Sequence, residues 1–141
     1  TDTLTQAEQL YGTMPYRKHL RIIHTYEIQQ TNLNTQLIQH PVLTNLAYNK
    51  HFMQFYDKTF LVLGNDGLPI SPTQNTHVNY LLLCHNARIN IPELPANLSF
   101  DTLIIDQSNG YRKTQQWIDE CTQLNIPYHN MREIGAWTIS F

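Results

Sequence analysis

The chain has 141 residues, the size of one ordinary domain, and it can bury a core without disulfides or a structural metal. Apolar residues make up 41% and charged residues 14%, which excludes an intrinsically disordered chain. The formal net charge is −2 at pH 7, so whole-chain electrostatics give no reason to expect tight nucleic-acid binding.

The first forty residues predict a helix followed by strands. Thr3–His19 carries apolar residues at helical spacing, Leu20–Ile28 mixes β-branched and aromatic residues, and Leu33–His40 is a weaker strand candidate. The basic residues are scattered apart from one cluster, which we interpret as a solvated face rather than a phosphate site: Arg17, Lys18 and Arg21.

The middle of the chain predicts a hairpin and a buried strand. His51–Asp57 and Thr59–Leu63 are apolar-rich runs joined at Asp57-Lys58, which indicates a hairpin with a two-residue connection. Gly64–Gln74 holds glycines and prolines and predicts a loop. Val78–Cys84 is a short continuous apolar run, typical of a strand covered on both faces.

The last third alternates helical and extended patterns. Ile89–Leu98 predicts a short, proline-broken helix or turn, and Asp101–Asp106 predicts a second buried strand. Tyr111–Leu124 predicts an amphipathic helix that Asn125 closes, with one apolar face: Trp117, Ile118, Cys121 and Leu124. Two further strands are predicted at the end: Ile126–His129 and Gly135–Phe141.

These elements predict an α/β or α+β fold in which helices pack on a sheet, as one domain over residues 1–141. Cys84 and Cys121 lie in apolar patterns and are interpreted as buried free thiols. No apolar run approaches the roughly 20 residues of a membrane span, and no signal peptide is visible. Because the chain opens at Thr1 within a helical pattern, we expect it to be a piece of a larger protein.

Seven histidines raise the question of a metal site. The sequence contains no H-x-H, no helical H-x-x-x-H and no C-x-x-C. A site forms only if neighbouring strands bring four residues together: His77, His85, Asp106 and His129. We favour scattered surface and core histidines over that site.

The junction Asp106–Gly110, between a predicted strand and a predicted helix, is the one candidate anion site. Backbone N–H groups at a helix start can hold an anion. Capping of the helix by Ser108 or Asn109 is the alternative, and we favour it. Basic residues expected near the same edge of the sheet, where ligands of open α/β sheets bind, are Arg88, Arg112 and Lys113.

Tyr80–Phe141 resembles the end of ComEC-family proteins, in the short form typical of Bacteroidetes-like bacteria. The matching pieces follow one another in order: Tyr80–Asn86, Leu103–Asn109, Trp117 with Cys121, Asn125–His129 and Gly135–Trp137. Residues 50–141 also resemble, less closely, the metallo-β-lactamase-like domain that ends the catalytic members. The resemblance therefore implies a degenerate metallo-β-lactamase-like layered sheet. This is a partial domain if more of the sheet precedes Thr1. Residues 1–49 are expected to form an N-terminal helix and strands.

The departures from that family concern the metal ligands. Its H-x-H-x-D-H loop has no counterpart here, Asn65 stands where a metal-binding Asp is expected, and Cys84-His85 replaces paired histidines. Gly110–Thr114 replaces the histidines of a later motif. A two-metal phosphodiester hydrolase needs several anionic or imidazole ligands. The comparison thus argues against an enzyme, and no cofactor is expected.

The resemblance implies a non-catalytic soluble domain of a membrane DNA-uptake channel protein, with a role in scaffolding or guiding DNA during natural transformation. It places the protein in the bacterial inner membrane, with the domain expected on the extracytoplasmic side. The implied partners are single-stranded DNA, the membrane-channel part of the same polypeptide and other competence proteins. Candidate contacts with DNA or another anion are Arg88, Ser108, Asn109, Arg112 and Lys113.

Two alternatives stay open. A divergent metal-dependent phosphodiesterase or nuclease would use His77, His85, Asp106 and His129. Stoichiometric metal in the purified protein would favour this alternative. A protein–protein interaction module of the uptake machinery would not touch DNA. Salt-sensitive binding of single-stranded DNA would argue against such a module.

Overall fold

The computed structural model describes residues 38–39, 45–48, 51–69 and 75–140. The predicted helix Thr3–His19, the predicted strand Leu20–Ile28 and the basic cluster at Arg17 lie outside the described residues. The described part forms a sheet of seven strands whose order follows the chain: β1 (Ile38–Gln39), β2 (Leu46–Tyr48), β3 (Phe52–Phe55), β4 (Lys58–Leu63), β5 (Thr76–Leu83), β6 (Leu98–Ile105) and β7 (Tyr128–Asn130). Its helices are a 3₁₀ turn (Ile91–Glu93), α1 (Tyr111–Leu124) and α2 (Met131–Ile134). The predicted mixed α/β layered fold is confirmed.

The sheet changes character at β4. Strands β1 to β4 pair antiparallel, whereas β4, β5, β6 and β7 pair parallel. Leu61 pairs with Leu81, and Leu81 pairs with Leu103, so the three parallel central strands are in register. The carboxyl ends of β4, β5, β6 and β7 therefore meet at one edge of the sheet, where open α/β sheets bind ligands.

The predicted hairpin is confirmed, but its turn lies one residue earlier than predicted. Phe55 pairs with Lys58, so the connection is Tyr56-Asp57 and not Asp57-Lys58. Pairing of the apolar residues Phe52 and Leu61 fixes the register and leaves Lys58 inside the strand. Tyr56 adopts a φ of 53°, the left-handed conformation that a tight hairpin turn requires.

The core lies between the sheet and α1. Leu61, Leu81 and Leu103 from the three central strands have no exposed surface, and neither do Trp117 and Cys121 of α1. Burial of these side chains is the main favourable contribution to the stability of the fold.

One end of α1 departs from the predicted apolar face. Leu124 was expected to be buried with Trp117, but 48% of it is exposed. The helix ends at the next residue, because Asn125 adopts a left-handed conformation with φ 55° and ψ 39°. Ile126 packs against the core after this turn and covers it in place of the last turn of α1.

Three other expectations need correction. Gly135–Phe141 is not a strand in its described part, since residues 135–140 are irregular and Trp137 packs against the rings of Phe60 and Tyr80 at 5.7 and 4.6 Å. Cys121 is buried as predicted, but Cys84 is partly exposed because it follows β5 at the sheet edge. Strand β2 was not predicted, because its three residues are too few to show alternation.

Candidate functional site

The loops that follow β5 and β6 form the centre of the carboxyl edge. The ladder of backbone bonds continues one residue past each strand: Cys84 donates to Leu63 at 2.9 Å, and Asp106 donates to Leu83 at 3.0 Å. The two loops then leave the sheet side by side. Their polar backbone groups need partners, because an unpaired buried amide costs about 1–3 kcal/mol.

Asn109 supplies most of these partners. Only 1% of this residue is exposed. Its Nδ2 donates to the carbonyls of Leu83 at 2.7 Å and Asp106 at 2.8 Å, and its Oδ1 accepts the backbone N–H of Asn86 at 2.9 Å. The side chain thus joins the two loops and has no amide proton left for a ligand.

Asn86 and Ser108 complete the connection. The Oδ1 of Asn86 accepts the backbone N–H of Gly110 at 2.6 Å, and the Oγ of Ser108 accepts the backbone N–H of His85 at 2.9 Å. His85 and Asn86 both have positive φ, 50° and 57°. We call Asn86, Ser108 and Asn109 with these backbone partners the amide network.

Glycine leaves room for Asn86 where the two loops approach each other. A Cβ on Gly110 would lie 3.2 Å from Asn86 Oδ1, which is tighter than most real contacts. A side chain at this position would therefore push Asn86 away from the backbone N–H of residue 110, from which its Oδ1 accepts a hydrogen bond.

Arg132 holds the network from the other side. This residue of α2 donates from Nη2 to the carbonyls of Gln107 at 2.8 Å and Asn109 at 2.6 Å. Sequence reasoning missed Arg132 and Asn86. Asn86 carried a signal, because asparagine in a turn shortly after a strand tolerates the left-handed conformation, whereas nothing local to Arg132 indicates its distant partners.

The favoured explanation of Ser108 and Asn109 as helix caps is wrong. The N-cap of α1 is Gly110, and no side chain bonds to the first turn there. Both side chains are instead bonded across to the loop after β5.

The structure does not bring the four fallback metal ligands together. His77 lies at the amino end of β5 and His85 just beyond its carboxyl end, on the order of 20 Å apart at about 3.3 Å per residue. His77 contacts Ser99 Oγ at 2.9 Å and lies 3.5 Å from Asp101, and His129 contacts the carbonyl of Gly135 at 2.9 Å.

The carboxyl edge also does not fit the metal centre of a catalytic β-lactamase-like domain. Within the described ranges, no group of three His, Cys, Asp or Glu side chains is placed to hold an ion. One imidazole and one carboxylate near the carboxyl end of β4 do approach each other, since His51 Nε2 and Asp66 Oδ2 are 3.7 Å apart. Neutral amides, at Asn65, Asn86 and Asn109, occupy the edge, and they are poor ligands for a divalent cation.

The five candidate anion contacts have different surroundings. Asn109 is buried and cannot touch a ligand, whereas Ser108, Arg88 and Arg112 are exposed. Lys113 lies with Nζ 5.7 Å from the ring centre of Trp117. Arg88 and Lys113 line the same cleft, which has a volume of about 350 Å³, and Arg112 does not line it.

The fold and its edge define a layered α/β domain whose parallel strands end in a closed amide network. The chain belongs to the ComEC C-terminal domain family, whose model matches residues 3–141. Members of the ComEC family are inner-membrane competence proteins that act in DNA uptake. Neither the curated proteins nor the solved structures contain a match to the chain. In the described part, no helix is long and apolar enough to cross a membrane.

Proposed function

We propose that this domain serves DNA uptake without cleaving phosphodiester bonds, as a scaffold or guide for single-stranded DNA beside the membrane channel of its own polypeptide. The observation that carries the proposal is the amide network. Its central residue, Asn109, directs both amide protons at backbone carbonyls and its oxygen at a backbone amide. The network thus joins the loops, and Asn109 has no amide proton left with which to orient a reacting group.

The charge of the edge supports the same proposal. Metal-dependent phosphodiester hydrolysis uses cations to activate water and to stabilise the leaving oxygen, so the protein must supply several negative or imidazole ligands. Here Asp106 uses Oδ2 to accept the backbone N–H of Ser108 at 3.1 Å, and among the described residues it belongs to no group of three His, Cys, Asp or Glu side chains that could hold an ion.

The proposed contacts with DNA are Arg88, Ser108, Arg112 and Lys113. With a net charge of −2 and few basic residues, the chain would neutralise few phosphates. Each neutralised phosphate of a single strand contributes a slope of about −0.7 to the plot of log K against log salt. We therefore expect weak binding with a slope of about −1 to −3.

A binding and cleavage assay with a single-stranded thymidine oligonucleotide tests the proposal. The chain should bind it at low salt and should leave it intact in the presence of Mn²⁺ or Zn²⁺. The double change Arg112→Ala, Lys113→Ala should reduce affinity by about 30-fold, since each of the two lost phosphate contacts costs on the order of 1 kcal/mol. Lys58→Ala, at the amino end of β4, is the matched control and should bind like the unchanged chain.

An interaction module without DNA contact is the second candidate. Two large apolar residues near the carboxyl edge favour it, since Tyr111 is 66% exposed and Ile134 is 64% exposed. If the oligonucleotide fails to bind at low salt, this candidate replaces the first. If the oligonucleotide is cleaved in a metal-dependent way, neither proposal survives and the nuclease alternative holds.

A further inference from the structure

A cleft lies beside the amide network, between the loop after β4, the segment after β5 and the first turn of α1. Its lining includes Leu68 from the loop after β4, Arg88 from the segment after β5 and Lys113 from α1. Its volume of about 350 Å³ is at the lower end of the roughly 300–1,000 Å³ that small-molecule sites occupy. The cleft therefore has room for one small ligand.

One wall of this cleft is held firmly against α1. The indole N–H of Trp117 donates to the carbonyl of Ile89 at 3.0 Å, and the carboxylate of Glu120 accepts the backbone N–H of Ile91 at 2.8 Å. Gln116 Nε2 donates to Asn90 Oδ1 at 2.8 Å. Because the segment is fixed in this way, ordering it costs little when a ligand binds.

Three charged side chains line the cleft and form no ion pair with one another. They are Arg88, Lys113 and Glu93. In the described part of the chain no carboxylate lies within 4.0 Å of either cation, although Lys58 and Asp57 do pair, at 2.9 Å. The cleft thus offers two positive groups and one negative group to a ligand.

Neutral groups complete the lining. Asn90 accepts through Oδ1 from Gln116, which leaves its Nδ2 protons to donate to a ligand. Leu68 and Leu94 supply apolar surface on which a flat ring can pack. An amide donor beside a carboxylate acceptor matches the edge of a base that presents an acceptor next to an amino group.

We propose that this cleft binds a free nucleoside monophosphate whose base carries an amino group, with the phosphate on Arg88 and Lys113 and the base edge on Glu93 and Asn90. Binding of a free nucleotide goes beyond the proposed function, because it requires no contact with a DNA strand. Thymine carries no amino group, so the oligonucleotide assay above does not measure the base recognition proposed here. Either proposal can therefore fail while the other holds.

Titration calorimetry of the 141-residue chain with cytidine 5′-monophosphate, uridine 5′-monophosphate and inorganic phosphate tests the site. Cytidine monophosphate should bind saturably and about tenfold more tightly than uridine monophosphate, whose carbonyl would face the Glu93 carboxylate. Glu93→Gln should remove this preference, whereas the matched carboxylate change Glu133→Gln should keep it.

The cations give an independent comparison. Arg88→Ala and Lys113→Ala should each weaken binding of cytidine monophosphate by about tenfold, and Lys58→Ala, which does not line the cleft, should leave it unchanged. Absence of saturable binding would overturn the proposal. So would equal binding of inorganic phosphate and cytidine monophosphate, or an equal loss in Lys58→Ala.

Discussion

The two ends of the parallel strands carry similar polar residues in different surroundings. At the carboxyl end, Asn109 is 1% exposed and links the loops through backbone groups. In the amino half, which we call the amino end, Asn79 Nδ2 donates to Asp101 at 3.0 Å, and the side chains of His77 and Asp101 are each 56% exposed.

Both ends are well bonded, so the number of hydrogen bonds does not distinguish them. Burial does, because a buried group that loses its partner cannot turn to water, whereas an exposed group can. We therefore expect that the carboxyl end contributes strongly to stability and that the amino end contributes little.

The largest effect should follow from Asn109→Ala. This change leaves the N–H of Asn86 without its acceptor and removes one of the two donors to the carbonyl of Leu83, which keeps only the backbone N–H of Asp106. The free energy of unfolding should fall by about 3 kcal/mol in urea titrations. A loss below about 1 kcal/mol would show that water enters the edge and satisfies these groups.

The apolar core between the two ends gives a second measure of burial. Burial, with a smaller effect of the Glu120 carboxylate, raises the pKa of the Cys121 thiol from 9.0 to about 11. Well below pH 9 the thiol is neutral in both states, and between about pH 9 and 11 the unfolded state loses the proton before the folded state does. The free energy of unfolding should therefore fall over this window, on the order of 2 kcal/mol.

A pH series of urea titrations measures this fall. Cys121→Ala lacks the thiol and should show a correspondingly smaller pH dependence over the same window. Identical pH dependence in the two proteins would mean that Cys121 is not held in a dry environment.

Arg132→Gln should have an intermediate effect. It removes the two bonds from the guanidinium to Gln107 and Asn109 but leaves Asn109 in place. Because Arg132 is exposed, we expect a loss of about 1 kcal/mol and faster hydrogen exchange at the amide of Asn86. Arg112→Gln is the matched control and should change stability by less than about 0.5 kcal/mol.

The smallest effect should come from the amino end. Asp101→Asn removes the charge that faces His77 at 3.5 Å and keeps the shape of the side chain. Exposed pairs of this kind contribute about 0–1 kcal/mol, so the urea midpoint should hardly move. A loss as large as that of Asn109→Ala would remove the contrast between the two ends.

The strongly patterned elements could be predicted from the sequence. The runs around Leu61, Leu81 and Leu103 and the apolar face of α1 around Trp117 carry local signals, and the structure confirms them. The turn at Tyr56-Asp57 was misplaced because cross-strand pairing, and not turn propensity, sets its register.

Only part of the amide network could be predicted from the sequence. Ser108 and Asn109 stand at a strand–helix junction, where capping is the local expectation. Their actual partners, His85 and Asn86, lie more than twenty residues away and come within reach only because β5 and β6 are parallel neighbours. A local pattern does not carry such information.

The central claim is that the amide network at this carboxyl edge leaves no site for a divalent metal ion, and metal content tests it most directly. The chain, purified in the presence of Zn²⁺ and Mn²⁺ and then dialysed, should contain well below one equivalent of either metal by elemental analysis. One or more tightly held equivalents per chain, lost in His85→Ala or in Asp106→Ala, would contradict the account and restore a hydrolytic centre at this edge.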